Sequence, residues 1–389
     1  MSDTPPPIVP ISDTATLSEV CARFKSAPYI TVDTEFMREK TYFSKLCLIQ
    51  VANPDEAYII DPLADGLDLT EFWSLLTDEP VLKVLHSARQ DFEIFYQASG
   101  KVPAPVFDTQ VAAMVLGFAD SAGYQLLVEQ YCGVRLDKSS RFTDWSQRPL
   151  SNKQLSYALG DVTYLRQIYE RMRDQLDENQ RSSWLSEEMT VLTSDKTYEI
   201  DPDSAWRRLK HRSRDAVFLG QLKAIAAWRE NTAQTINIPR ARLVSDDALL
   251  QIAAQKPQSQ ADLEKIRGVS SGFAKSKNGA GVITALQAAQ ALPKEDIPQR
   301  KDRSVLRSNP LGDLLKLLLK ARAQEVGVAP KLIASADDLD RLANTDGDRL
   351  NLMQGWRYEV FGKEALALKS GQIALTAKGK DIEILELDD

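Results

Sequence analysis

Asp33-Thr34-Glu35 places two acids one residue apart in the apolar, β-rich run YITVDTEF (Tyr29–Phe36). Successive side chains of an extended strand leave opposite faces, so both carboxylates leave the same one. Two such groups repel unless a cation lies between them, and hard oxygen ligands at this spacing suit Mg²⁺ or Mn²⁺. An Asp-x-Glu at a strand end is also an ordinary turn or surface pair, so the pair decides nothing alone. Tyr157 and Asp161 lie four apart in SYALGDVTYLRQIY, whose helical periodicity puts phenol and carboxylate on one face. A tyrosine at that spacing can equally be amphipathic core. Asp91 follows the strand-like VLKVLH (Val81–His86) by five residues and opens a helix, where a carboxylate can simply complement the helix dipole.

The surrounding pattern reads as a mixed α/β domain. After a helix-like stretch around Leu17–Ser26 come three strands: Tyr29–Phe36, KLCLIQVA (Lys45–Ala52) and AYIID (Ala57–Asp61), the last two separated by the turn signal Asn53-Pro54. Their closeness predicts an antiparallel meander. The pattern then alternates: helix near Thr70–Leu76, strand Val81–His86, helix Arg89–Gln97, short strand PVFD (Pro105–Asp108), then helices. Strands separated by helices imply parallel pairing at that end. A long helix from Asn152 to about Asn179 closes the domain. The result is a mixed sheet flanked by helices, compatible with a ribonuclease H-like architecture. Ser182–Ser204 is acidic and weakly periodic and is read as a boundary, although Trp184–Leu192 can be helical. Trp206–Leu292 is helical by its apolar spacing, with AVFLGQLKAIAAWRENTAQ as the clearest stretch. A polar linker, PKEDIPQRKDRS (Pro293–Ser304), leads to a second helical segment from about Asn309 to Lys378. The domains expected are therefore 1–185, α/β, followed by two small all-α bundles at 206–294 and 305–389.

A length of 389 residues is too much for one ordinary core. No apolar run approaches the roughly 20 residues that span a bilayer. MSDTPPPIVPISD has neither a basic n-region nor an apolar h-region, so no secretory signal is expected and the cytoplasm is the expected compartment. Cys21, Cys47 and Cys132 are odd in number, widely spaced and not in CxxC pairs, which supports neither a disulfide framework nor a zinc knuckle; they read as small core residues or free thiols. The net charge of −7 argues at first against a polyanionic partner, but the average conceals a segregation. Residues 1–185 carry 17 Lys and Arg against 26 Asp and Glu, a net of −9; residues 206–294 carry 15 against 6, a net of +9. An acidic, metal-binding domain joined to a basic module that grips a polyanion accounts for this asymmetry; chance segregation of surface charge is the alternative.

Taken together, in this order and these contexts, the acids resemble the DEDD exonuclease superfamily, in which four acids from three motifs hold two metal ions. The first motif matches as Asp33 and Glu35 in TVDTEF, the second as Asp91 in HSARQDFEIF, and the third as Tyr157-x-x-x-Asp161. Tyrosine rather than histidine in the third motif looks like the DEDDy branch. TVDTEFMREKTYFSKLCLIQ, FDTQVAAMVLG (Phe107–Gly117) and TDWSQRPLSNKQLSYALGDVTYL (Thr143–Leu165) resemble the ribonuclease D family in particular. The resemblance covers most of residues 28–180, and no required acid is missing.

The resemblance implies a 3′-to-5′ exoribonuclease that uses two divalent ions, Mg²⁺ or Mn²⁺, and releases nucleoside 5′-monophosphates. Asp33 would bridge both ions; Glu35 and Asp161 would complete the ion carrying the attacking water, and Asp91 would support the second. Tyr157 would orient that water or help deprotonate it. His86 is expected to pack or hydrogen-bond rather than catalyse. Lys138, Arg141 and Arg148 surround Trp145 and could touch substrate phosphate or cap local structure. Trp206–Leu292 resembles an HRDC domain through WRRLK, LKAIAAWRENTAQ, IPRARLVSDDALLQIAAQKP and LEKIRG; LMQGWRYEVFGKEALALKSG (Leu352–Gly371) looks like a degenerate second copy. RNA, tRNA precursors with 3′ extensions above all, is the partner implied, with no membrane and a monomeric chain. A DNA exonuclease of the same type would use the same acids, and a non-catalytic RNA-binding scaffold is the reading outside enzymology. No GxxxxGK[ST] loop is present, so no P-loop helicase is fused to the chain.

Overall fold

A computed structural model describes residues 8–137, 143–297, 310–345, 347 and 349–387. The chain divides into two compact units. The first comprises residues 1–35, 47–197 and 301–389, and the second comprises 36–46 and 198–300.

The first unit is built on a five-stranded sheet of order β3-β2-β1-β4-β5. After helix α1 (Thr14–Phe24) come β1 (Tyr29–Met37), β2 (Lys45–Ala52) and β3 (Ala57–Ile60). Helix α2 (Thr70–Thr77) leads to β4 (Leu82–Leu85), α3 (Arg89–Ser99) to β5 (Val106–Asp108), and α4 (Thr109–Val115) and α5 (Tyr124–Cys132) follow. β2 and β3 are antiparallel, with Ile49 opposite Ile60, whereas β4 is parallel to both β1 (Thr31 opposite Val84) and β5 (Leu85 opposite Asp108). The change from a meander to strand-helix alternation is thus a change from antiparallel to parallel pairing. β1, β4 and β5 consequently end on the same edge, the edge where open α/β sheets bind their ligands.

The long helix α6 (Asn152–Glu178) starts from a capping box between Ser151 and Gln154 and lies along β1. Tyr29 donates its hydroxyl to Glu170 at 2.7 Å, and Thr31 donates to the Val162 carbonyl at 2.9 Å. The odd-numbered face of β1 therefore looks at α6, so Asp33, next along that face, comes to Asp161, which precedes Val162. Ile30 and Val32, on the even face, are fully buried in the apolar core with Phe92 and Phe95 of α3 and Phe72 of α2.

Helix α7 (Ser182–Leu192) occupies the stretch read as a boundary. The last segment packs on it: Trp184 stacks on Trp356 at 4.5 Å between ring centres and 10° between planes, and Arg357 pairs with Glu188. Arg181 donates to the carbonyls of Val115 (2.9 Å), Gly327 (2.9 Å) and Val326. Gly117, at φ +84°, approaches Gly327 so closely that a β-carbon there would lie 2.6 Å from its carbonyl oxygen. The segment departs from the all-α expectation. Helix ends at Ser370, and Ile373–Lys378 pairs antiparallel with Asp381–Glu386 around Gly379. Period-two alternation in DIEILE around a Lys-Gly-Lys turn is the reason.

The second unit is a helical bundle, α8 (Ala216–Thr235), α9 (Arg240–Leu243), α10 (Asp246–Gln255), α11 (Gln260–Glu264), α12 (Ser271–Ala274) and α13 (Lys277–Ala288). Trp206, Leu219, Leu222, Ile225, Leu249, Ile252, Leu263 and Val282 fill its core. Residues 36–46, although they follow β1 directly, belong here. Tyr42 packs against that core and donates to the buried Glu230, which also receives Arg240 and, at 3.4 Å, Arg208. The Phe43 N–H donates to the Asn237 side chain at 3.1 Å.

Candidate active site

The five residues named from the sequence come from three elements of the first unit. Asp33 and Glu35 lie at the middle and in the second half of β1, Asp91 sits in the first turn of α3, and Tyr157 and Asp161 lie on α6. Asp91 is 6% exposed, and its carboxylate accepts the hydroxyl of Thr34, the residue between the two acids of β1.

The acids perturb one another. Burial lifts Asp33 well above the usual carboxylate range, and the charges of Asp161, Asp91 and Glu35 lift it further, in that order of size. Burial pushes Asp91 up to about 7 against the opposing bond from Thr34, and pushes Asp161 up to about 7. Among the described residues no Lys or Arg pairs with Asp33, Asp91 or Asp161. Buried like charges without a countercharge must either hold protons or receive a cation. The donor set, carboxylate oxygen throughout, fits a hard divalent ion. Among the described residues, however, no three or more acidic, histidine or cysteine side chains stand close enough to ligate an ion as they are. The carboxylates feel each other's charge over distances longer than ligand bonds, and Asp91 would exchange the Thr34 hydroxyl for an ion.

Tyr157 lies over Trp145, 6.1 Å between ring centres. Beside it opens a cavity of about 480 Å³ lined by Tyr157, Asp161, Ser156, Lys153 and Arg135. Lys153 is paired with Asp137 at 3.0 Å. Of the basic residues near Trp145, Arg148 serves local structure: it clamps Asp61 through both ends of its guanidinium (2.6 Å each) and donates to the Cys47 carbonyl at 2.7 Å. Lys138 and Arg141 lie outside the described residues. His86 is a hydrogen-bonding residue, its Nδ1 3.0 Å from the Thr109 hydroxyl, and burial lowers its pKa.

Three residues were not singled out from the sequence. Thr34 touches Asp91. Tyr124 donates to the Gly160 carbonyl at 3.0 Å, and burial, then the charges of Asp161 and Asp33, raise its pKa. Asp108 caps α4 and also binds the chain entering α3. Asp108 lay within FDTQ, where its N-cap position was legible; nothing local signalled the other two.

The chain's matches to known proteins agree with this geometry. Residues 8–177 match the family described as a 3′-5′ exonuclease, and residues 218–286 match the HRDC domain. The "Ribonuclease D" of Granulibacter bethesdensis is 47% identical over 378 residues, covering 96% of each chain. That of Jannaschia sp. is 49% identical over 387 residues, covering 97% of this chain and 99% of the relative. The crystal structure of Escherichia coli RNase D, an exoribonuclease involved in structured RNA processing, superposes with a TM-score of 0.78 at 28% identity, over 94% of this chain and 99% of that one. An acid-bearing mixed sheet with a helical HRDC region after it defines a ribonuclease H-like 3′-to-5′ exonuclease. The chain belongs to the ribonuclease D family and is an enzyme, a 3′-to-5′ exoribonuclease. The scaffold reading falls with this. No helix among the described residues is long and apolar enough to cross a membrane.

Proposed function

We propose that the enzyme shortens RNA from its 3′ end one nucleotide at a time with two divalent ions, Mg²⁺ or Mn²⁺, held by Asp33, Glu35, Asp91 and Asp161. The observation that carries this reading is the convergence of buried acids on Asp33, where Asp161, Asp91 and Glu35 all add to its perturbation and, among the described residues, no Lys or Arg pairs with Asp33, Asp91 or Asp161. When bound, such ions activate water and neutralise charge on the reacting phosphate. Asp33, reached by the charges of all three other acids, would be the member central to holding the ions. Tyr157 borders the cavity beside Asp161 and orients the attacking water; orientation is the role proposed for it over proton abstraction.

The domain roles extend this reading. Residues 1–185 do the chemistry. Residues 206–294, net positive, hold the phosphate backbone with little regard for sequence. Residues 305–389, fixed to the nuclease through Arg181 and Trp184, brace it. The substrates in this reading are tRNA precursors with 3′ extensions, and the enzyme works as a monomer in the cytoplasm. The test is a time course on a structured RNA with a single-stranded 3′ overhang and on the matched DNA, with Mg²⁺ and with EDTA. Stepwise loss of 5′-monophosphates from the RNA, abolished by EDTA, is expected. Equal or faster loss from DNA would favour the deoxyribonuclease alternative, and hydrolysis unaffected by EDTA would overturn the metal reading.

A further inference from the structure

Between β4 and α3 the chain turns so that Asp91, in the first turn of α3, reaches the carboxyl end of β1. The turn rests on Ser87, whose φ of 59° is left-handed, a conformation disfavoured for a residue that carries a β-carbon. One carboxylate from a neighbouring strand holds it. Asp108, the last residue of β5 and 2% exposed, accepts the Ser87 N–H at 3.1 Å and the Ala88 N–H at 2.8 Å. It also accepts the N–H groups of Gln110 at 2.7 Å and Val111 at 3.3 Å. Thr109 beside it donates to the Leu85 carbonyl at 3.1 Å and meets His86 at 3.0 Å.

An N-cap needs only the bonds to its own helix, here those to Gln110 and Val111. The bonds to Ser87 and Ala88 reach back to the entry of the helix that bears Asp91. Among the described residues no Lys or Arg pairs with Asp108, so backbone N–H groups supply its counter-charge. Asp91 is thus held from two sides: its carboxylate by the Thr34 hydroxyl, its backbone through Asp108.

We infer that Asp108 is a positioning residue for the hydrolysis, fixing the Ser87–Ala88 turn and, through it, the place of Asp91. This rests on reading Asp91 as a metal ligand. Asp108→Asn separates the two jobs. Its remaining carbonyl oxygen still accepts from Ser87, Gln110 and Val111, while its amide nitrogen is set against the Ala88 N–H, donor against donor. The cap of α4 survives and the bond into α3 does not.

The expected result on an RNA with a 3′ overhang is a fall in kcat of about 10–100-fold, the cost of a misplacement near 1 Å, with KM unchanged. A Mg²⁺ titration followed by melting temperature should need several-fold more metal, and Asp91→Asn with Asp108→Asn should titrate like Asp91→Asn alone. Unchanged kcat in Asp108→Asn, or a double variant in which the losses multiply, would overturn the inference. Thr109→Val, which removes only a hydroxyl, should give a smaller loss of the same kind. It decides the matter if Asp108→Asn does not fold: unchanged kcat in Thr109→Val then overturns the inference. Should Asp91→Asn itself keep full activity and full metal response, the fault lies with the ligand reading instead.

Discussion

The molecule treats buried acids in two opposite ways. Glu230, in the helical unit, is 1% exposed and fully partnered: Arg240 grips it through two nitrogens, Arg208 stands at 3.4 Å, and Tyr42 donates its hydroxyl. Burial pushes its carboxyl up, but the bonds from Arg240 and Tyr42 and the charges of the two arginines outweigh that and leave it below the usual range. Asp33, Asp91 and Asp161 in the nuclease unit are also withdrawn from water, yet their neighbours are other acids, and all three are raised. The chain satisfies one buried carboxylate with two guanidinium groups, and among the described residues it gives these three none. Structural burial of charge is completed by the protein itself; the site is completed by something that binds.

The sharpest way to break that comparison is Asp33→Asn. Loss of a group that stabilises developing charge should cut kcat by about 10²–10³-fold or more, while the metal-free protein should melt higher, because one source of like-charge repulsion is gone. Hydrolysis rates and melting curves in EDTA check both halves, and a variant that is both inactive and less stable would mean that Asp33 is structural. Glu230→Ala should do the reverse: activity on a short single-stranded RNA persists, while unfolding of the helical unit moves down by about 3 kcal/mol, near the low end for a broken buried pair because both arginines keep some solvent contact. Denaturant unfolding of the full chain measures it.

Tyr157→Phe is the next smaller effect. An orienting phenol should be worth about tenfold in kcat, below the 10² or more expected of a proton-transferring group, so a loss above about 100-fold would reassign it as a base. The smallest effect is a pH slope. Asp91 and Asp161 sit near 7 in the folded chain against an ordinary 3.8, so the folded state binds more protons than the unfolded one between those values. Their stabilising contribution is complete below about pH 4 and is lost as the pH rises through 7. In EDTA the melting temperature of the parent should therefore fall more steeply over that window than that of an Asp91→Asn, Asp161→Asn variant, and parallel curves would contradict the shifts.

Much of this was legible in the residues. The alternation of strand and helix after Ala57–Asp61 gave the parallel half of the sheet, and the spacing of Asp33 and Glu35, with that of Tyr157 and Asp161, placed each pair on a shared face. What local pattern could not show were contacts made far along the chain. Thr34 read as the middle of a strand, yet its hydroxyl is used 57 residues away. Tyr42 follows the catalytic strand but finds Glu230, 188 residues on, and so joins the helical unit. Asp108 read as the end of a strand, and its bonds to Ser87 and Ala88 depend on β4 and β5 being neighbours. The final hairpin is faint in the sequence for a different reason: its alternation is short, and a helical run precedes it.

The most direct test follows the melting temperature of the metal-free enzyme through a Mg²⁺ titration at pH 7, beside Asp33→Asn and Glu230→Ala. Ions that fill a site of buried, mutually perturbing acids stabilise the folded state by mass action, so the parent and Glu230→Ala should both rise with Mg²⁺ while Asp33→Asn stays nearly flat. A parent that does not respond, or an Asp33→Asn variant that responds as fully as the parent, would contradict the account.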